Sequence, residues 1–252
     1  MAQDTIHINK LLNHLKGKRR ILFLTTSNRY VKHDDQPKST ALAYKLATDL
    51  TAMGVYSVKV IEIPLLNIHP CEGNVSAKGG NNCGVKAAQL LDNDKNPTGN
   101  IRCWASYNNP DDELWKVANE IFASDTVIFF ASVRWGQANG YYQKLIERLD
   151  WMENRWSSLG EDNILKDKDA GLICIGQQWN GEKVVETQKK VLEFYGFKTP
   201  DALFGNWQYT LDAYDESLAS YRAAIPAFEK TFNVSMKKFL QLIAPLRKRF
   251  GL

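Results

Sequence analysis

The side chains best placed to do chemistry fall in three loops and one set of cysteines. Thr25-Thr26-Ser27-Asn28-Arg29 leaves an apolar run, and Ser39-Thr40 opens an amphipathic one. Hydroxyls beside the free backbone N–H groups of a helix start form a cradle for phosphate. The segment holds neither GxxxxGK(S/T) nor GxGxxG, which excludes a Walker-type loop and the dinucleotide fingerprint. A surface loop whose Ser39 simply caps a helix accounts for the same residues. Next, the segment ASVRWGQANG, from Ala131 to Gly140, joins a glycine turn, an aromatic and several amides. Such a loop can bond the edge of a flat heterocycle while Trp135 covers its face or rim; a tryptophan packed on the neighbouring helix is the alternative. Gly176-Gln177, after another apolar run, opens a third polar loop.

Cys71, Cys83 and Cys103 are spaced by 12 and 20 residues. An iron–sulfur cluster needs four thiolates, most of them closely spaced, and Asn74 stands where a second cysteine would complete CxxC. His69 could add a ligand, but the signal is weak and no metal is expected. Cys174, inside an apolar run, reads as a buried free thiol. His7 and His14 lie on an N-terminal helix with no companion carboxylate by spacing, and neither GxSxG nor HExxH occurs, so hydrolase chemistry has no local support.

These loops need a scaffold, and the apolar periodicity supplies one. Residues 19–25, 57–63, 125–132 and 169–176 read as strands, with a weaker one within 198–207. Helical spacing marks 39–53, a segment starting at Asp111-Asp112 with Leu114, Val117, Ala118, Ile121 and Phe122, then 139–152 and 181–195. Alternating strands and helices imply an α/β three-layer sandwich around a five-stranded parallel sheet. Ligands in such sheets sit beyond the carboxyl ends of the strands, where the three loops fall. One domain over 1–252 is expected, with a long excursion at 64–110, functional or disordered, and a helical extension at 212–252.

The 252 residues are 44% hydrophobic and 24% charged, which excludes a disordered chain. A net charge of +4 is mild over this length and gives no support to nucleic-acid binding. The first residues lack an apolar signal core, no apolar run is long enough to insert into a membrane, and four cysteines are too few for a disulfide scaffold; a cytoplasmic address is expected.

RILFLTTSNR followed by KSTALA, and VIFFASVRWGQANGYYQKLIERLDW, resemble the phosphate loop and flavin-edge loop of the flavodoxin-like NAD(P)H-dependent FMN reductases, close to the iron–sulfur flavoproteins. The second match rests on Val133, Trp135, Gly136, Lys144, Glu147 and Arg148; residues 171–181, GLICIGQQWNG, resemble the strand and loop that close the flavin site. The resemblance runs over roughly 20–205 in order and spacing. It departs from the family where Val133 replaces a proline, Glu147 an aspartate, and where His33, Asp34 and Asp35 lengthen the phosphate loop. It implies strand order 2-1-3-4-5 and FMN bound by Ser27, Asn28, Arg29, Ser39, Thr40, Ser132, Val133, Arg134, Trp135, Gly136, Asn139, Gly176 and Gln177. It also implies NAD(P)H as donor, a small oxidised acceptor such as a flavin or quinone, a homodimer or homotetramer, and no catalytic side chain, since the flavin carries the redox chemistry. Trp104 and Trp179 are further candidates for the stacking surface. A one-electron flavoprotein carrier and a non-catalytic FMN-binding interaction protein are the alternatives.

Overall fold

The computed structural model describes residues 2–27, 37–73, 82–176 and 180–207, with side chains from Ile8 onward. Asn28, Arg29 and Gln177 of the candidate set, Trp179, and the extension at 212–252 lie outside the described residues. Helix α1 (Ala2–Leu15) precedes β1 (Arg20–Thr25), α2 (Lys38–Ala52) and β2 (Ser57–Glu62). After the excursion, which contains α3 (Trp104–Asn108), come α4 (Leu114–Ala123), β3 (Thr126–Arg134), β4 (Gln137–Ala138), α5 (Gly140–Ser157), β5 (Asp169–Ile175), α6 (Gly181–Phe194) and β6 (Phe204–Trp207).

The sheet runs β2-β1-β3-β5-β6, all parallel, with β4 returning antiparallel on the end of β3. Leaving out that two-residue return, the order is the expected 2-1-3-4-5. The apolar runs explain the centre of the sheet: Ile21 to Leu24, Val127 to Ala131 and Ala170 to Ile175 are nearly all buried, as strands covered by helices on both faces must be. Leu42, Leu46 and Leu50 of α2 and Leu114, Val117, Ala118 and Ile121 of α4 form apolar stripes that join the same core. Cys174 is a buried free thiol in β5, as its apolar setting implies.

Three expectations need correction. First, α4 starts at Leu114, two residues after Asp112, whose Oδ2 accepts the Leu114 N–H at 3.3 Å as a helix start would ask, but whose carboxylate is also held in an ion pair described below. Second, β3 does not stop at Ser132 but continues to Arg134 and folds back through Trp135-Gly136. Third, His14 does have a carboxylate partner: its Nε2 lies 2.8 Å from Asp169 Oδ2, which also takes Lys18 Nζ at 2.6 Å. Burial pushes the Asp169 carboxyl up, but Lys18 and His14 outweigh it and hold it below the usual range.

The described parts of the excursion are ordered against α5. Lys144 Nζ donates to Ile68 O at 2.7 Å, Asn154 Nδ2 to Cys83 O at 2.6 Å and Arg155 Nη1 to Asn100 O at 3.0 Å. Gly84, at φ +76, sits so close that a Cβ there would lie 2.7 Å from Trp151 O. Among the described residues no helix is long and apolar enough to cross a membrane.

Candidate functional site

β1 ends at Thr25, and the chain passes Thr26 and Ser27 before re-entering at α2. Ser39 and Thr40 lie in the first turn of that helix, 2% and 0% exposed. The N-cap is Pro37, with no side-chain cap, and the Ala41 N–H to Pro37 O bond at 2.9 Å closes the first turn. The N–H groups before it have no intrahelical acceptor, and no acidic side chain stands in the turn. Ser39 is therefore not the cap that a plain surface loop would need. The buried hydroxyls of Thr25, Ser27, Ser39 and Thr40 have no hydrogen-bond partner among the described residues. A buried hydroxyl left unpaired costs about 1–3 kcal/mol, so this set at the β1–α2 crossover is unfavourable until something accepts its hydrogen bonds. Hydroxyls and helix-start N–H groups are donors suited to an anion.

Asn139 joins the ends of β1 and β3. Its Nδ2 donates to Thr26 O at 2.6 Å, and its Oδ1 accepts from Thr26 Oγ1 at 3.0 Å and from the Ser132 N–H at 3.1 Å. The Asn139 N–H donates to Ser132 O at 3.0 Å. The amide is thereby occupied in positioning both loops. Ser132 Oγ, above it, is buried and without a partner among the described residues.

Beyond Ser132 the chain makes a two-residue hairpin, with Val133 opposite Ala138 and Arg134 opposite Gln137. Trp135 and Gly136 both take positive φ, 50° and 72°, the backbone of a type I′ turn. Glycine suits that turn; tryptophan there costs about 1–2 kcal/mol. The indole is 91% exposed, so core packing does not account for it, and the alternative of a tryptophan packed on the next helix fails. Arg134 is exposed beside it, while the Val133 side chain is buried and leaves only backbone to the loop. Asn180 Nδ2 donates to Gly136 O at 2.8 Å, and the Gly176 N–H to Trp207 O at 3.3 Å, which fixes the far wall.

Ser27, Ser39, Thr40, Ser132, Val133, Arg134, Trp135, Gly136, Asn139 and Gly176 thus share the carboxyl edge of the sheet. Thr25 and Thr26, which open the first loop in the sequence but were not among the expected flavin contacts, belong with them, and so does Asn180, which sequence reasoning missed. The TTS run after an apolar strand is the visible signal for the first two; Asn180 had none beyond standing before a glycine. Trp104 falls elsewhere: its Nε1 donates to Asn82 O at 2.9 Å within the excursion.

Arg148 is fully buried in a bidentate pair with Asp112, Nη1 to Oδ1 at 2.7 Å and Nη2 to Oδ2 at 2.9 Å. Nη1 also donates to His69 O at 2.6 Å and Nη2 to Ser106 Oγ at 2.9 Å. Burial pushes the Asp112 carboxyl up; the Arg148 guanidinium overrides it and holds the group below the usual carboxylate range.

No family model matches the chain, and no curated protein matches it in sequence. Solved structures do. RosB, crystallised with the bound intermediate 8-demethyl-8-formylriboflavin-5'-phosphate, superposes with a TM-score of 0.52 at 15% identity over 75% of this chain and 64% of its own. A flavone reductase gives 0.48 at 15% identity over 81% and 59%, and a WrbA-like flavodoxin from Agrobacterium tumefaciens gives 0.41 at 13% over 84% and 98%. The chain spans about three-fifths of the length of the first two. At such identity the likeness defines the fold alone. The chain has a flavodoxin-like three-layer sandwich.

Proposed function

We propose that the protein is an FMN-dependent oxidoreductase that passes electrons from NAD(P)H to a small oxidised acceptor such as a flavin or quinone. The observation that carries this reading is the set of unpartnered buried hydroxyls at the β1–α2 crossover, which fits a phosphomonoester. Ser27, Ser39 and Thr40, with the first turn of α2, would hold the phosphate, and Asn28 and Arg29 are the neighbouring donors in sequence. Ser132, the backbone of Val133 and Gly136, Arg134, Trp135, Gly176 and Gln177 would border the flavin ring, and Asn139 would hold the two loops in register. When bound, the flavin supplies the two-electron redox chemistry, so no general base is asked of the protein. The flavin phosphate with which RosB was crystallised supports the same ligand class. A homodimer or homotetramer and a cytoplasmic address belong to this reading.

The test is a fluorescence titration of the purified chain with FMN and with riboflavin, followed by anaerobic addition of NADH or NADPH. Each charge-assisted hydrogen bond to the phosphate is worth about 1.5–3 kcal/mol, so FMN should bind at least roughly tenfold more tightly. Bleaching of the flavin absorbance by either nucleotide is the expected sign of turnover. Equal affinities for the two flavins overturn the phosphate site, and tight FMN binding without bleaching overturns the reductase.

A further inference from the structure

β2 forms one edge of the sheet, with β1 as its sole neighbour among the described residues. The Ser57 N–H donates to Arg19 O at 3.0 Å, so Ser57, Lys59 and Ile61 turn their backbone groups toward β1. Strand alternation then points the N–H and C=O groups of Val58, Val60 and Glu62 outward, unpaired among the described residues. Such an edge is a template for another strand, and a mid-strand lysine is one of the devices that deter it. Here that device is weakened, because Lys59 Nζ is held 2.5 Å from Glu120 Oε1. On the other face, Val58 and Val60 join Tyr44, Thr48 and Thr51 of α2 in an open groove of about 570 Å³, with Tyr44 Oη donating to Glu62 Oε1 at 2.9 Å. Exposed apolar side chains flank the edge. Tyr56, just before β2, is 70% exposed, and Leu65, in the short helical turn Ile63–Leu65 that follows it, is 76% exposed. Tyr44 and Met53, at the two ends of the α2 face, are 40% and 53% exposed.

We propose that this edge is the interface between two copies of the chain, joined by antiparallel pairing of β2 with the partner's β2 about a two-fold axis normal to the sheet. The residues select one register. With Val60 opposite the partner's Val60, Val58 meets the partner's Glu62, and all three outward-facing residues enter the ladder. A slip toward the start of β2 sets Lys59 directly against the partner's Lys59, like charge on like. A slip toward its end brings in Pro64, which has no N–H to give. In the selected register Tyr56 falls opposite the partner's Pro64 and beside the partner's Leu65, so the apolar groups at the two ends of β2 cover each other twice. An unrelated peptide strand would fill the ladder without matching that spacing. At about 200 Å² for a large side chain, the exposed parts of Tyr44, Met53, Tyr56 and Leu65 come to roughly 500 Å². The strand edge and the groove wall bring the total near the roughly 800 Å² per partner of a stable interface. The carboxyl ends of the two sheets then face opposite ways, which puts the two candidate sites at opposite ends of the joined sheet. The inference does not rest on the flavin reading.

Sedimentation of the purified full chain across the micromolar range, combined with residue-resolved amide exchange, tests the interface. The wild type should sediment at a multiple of the 28.6 kDa chain mass. In the associated state the Val58, Val60 and Glu62 amides should be protected and should lose that protection on dilution. Ser57, Lys59 and Ile61, bonded to β1, should keep theirs. Val60→Pro deletes an outward N–H without removing a bond to β1, and it should halve the mass. Tyr56→Glu with Leu65→Glu changes only exposed side chains and should halve the mass too, which covers a failure of the proline variant to fold. A monomeric wild type, an oligomer whose three outward amides exchange rapidly, or an unchanged mass in the folded double-glutamate variant overturns the proposal. Protection of those amides that survives dilution to the monomer also overturns it, since the chain's own segments would then cover the edge.

Discussion

Asn180 Nδ2 donates to Gly136 O at 2.8 Å, and this one bond joins two places where a non-glycine residue occupies left-handed backbone. Asn180 itself has φ 74°, and Trp135, next to Gly136, has φ 50°. Asparagine tolerates that region; tryptophan does so only when its surroundings over-determine the turn. The bond, the antiparallel pairing of β4 and the Asn139 clamp together hold an exposed indole in a costly conformation.

Trp135→Gly should therefore separate stability from binding. Removing the strained residue should stabilise the fold by about 1 kcal/mol, read as a higher urea midpoint at unchanged slope. FMN affinity should fall roughly threefold to tenfold, the value of one aromatic contact. Trp156, whose Nε1 donates to Tyr195 O at 3.2 Å, is the control. Trp156→Ala should lower stability and leave the FMN affinity of the folded fraction unchanged. A destabilised Trp135→Gly with full affinity would reject a binding role for the turn.

The crossover hydroxyls make an opposite pairing of effects. Because Ser39 Oγ and Thr40 Oγ1 are buried and without partners among the described residues, Ser39→Ala with Thr40→Val removes two unmet polar groups. Thermal stability of the flavin-free chain should hold or rise. FMN affinity should drop by roughly tenfold to a hundredfold while riboflavin affinity barely moves. Equal weakening of both flavins would place these hydroxyls outside the phosphate contacts.

Arg148 and Asp112 carry the largest single stability effect. Arg148→Met leaves a buried carboxylate without its cation and should cost about 3–5 kcal/mol, whereas replacing both residues, Arg148→Met with Asp112→Leu, should recover much of the loss. The pH dependence has a defined sign. The folded-state value of Asp112 is depressed, so its contribution is present above the unfolded value of about 4 and disappears as pH falls through the lower folded one. Urea unfolding at a series of pH values should show Asp112→Asn weaker than wild type at pH 7, with the gap closing below about pH 4. A gap that persists unchanged to pH 2 would remove the ion pair from the account.

The sheet was legible because RILFLT and TVIFFAS are short apolar runs bounded by polar loops, a pattern that local composition fully expresses. The loops of the site were legible for the same reason, since each begins where one of those runs ends. The features that the sequence concealed depend on partners far along the chain. Asp112 read as a helix start alone because Arg148, which also claims its carboxylate, lies 36 positions away. His14 looked unpaired because Asp169 lies 155 positions away. The return of β3 through Trp135-Gly136 was hidden because tryptophan is an unfavourable residue for the turn that it occupies.

The excursion also ties the hydration of one charge to its own docking. Lys144, Arg148, Asn154 and Arg155 take Ile68 O, His69 O, Cys83 O and Asn100 O in sequence order, so the described stretches of the segment meet α5 in chain order. These contacts close separations of 76, 79, 71 and 55 residues, far more than the turns of the helix itself. Until the excursion docks, the Arg148 guanidinium lacks the Ser106 hydroxyl and the His69 carbonyl that hold it beside Asp112. Docking the excursion then dehydrates that charge in the same step that supplies Asp112, Ser106 and the His69 carbonyl, which makes the step cooperative. Detachment must likewise proceed as a unit, because lifting one end strands a charge beneath the other.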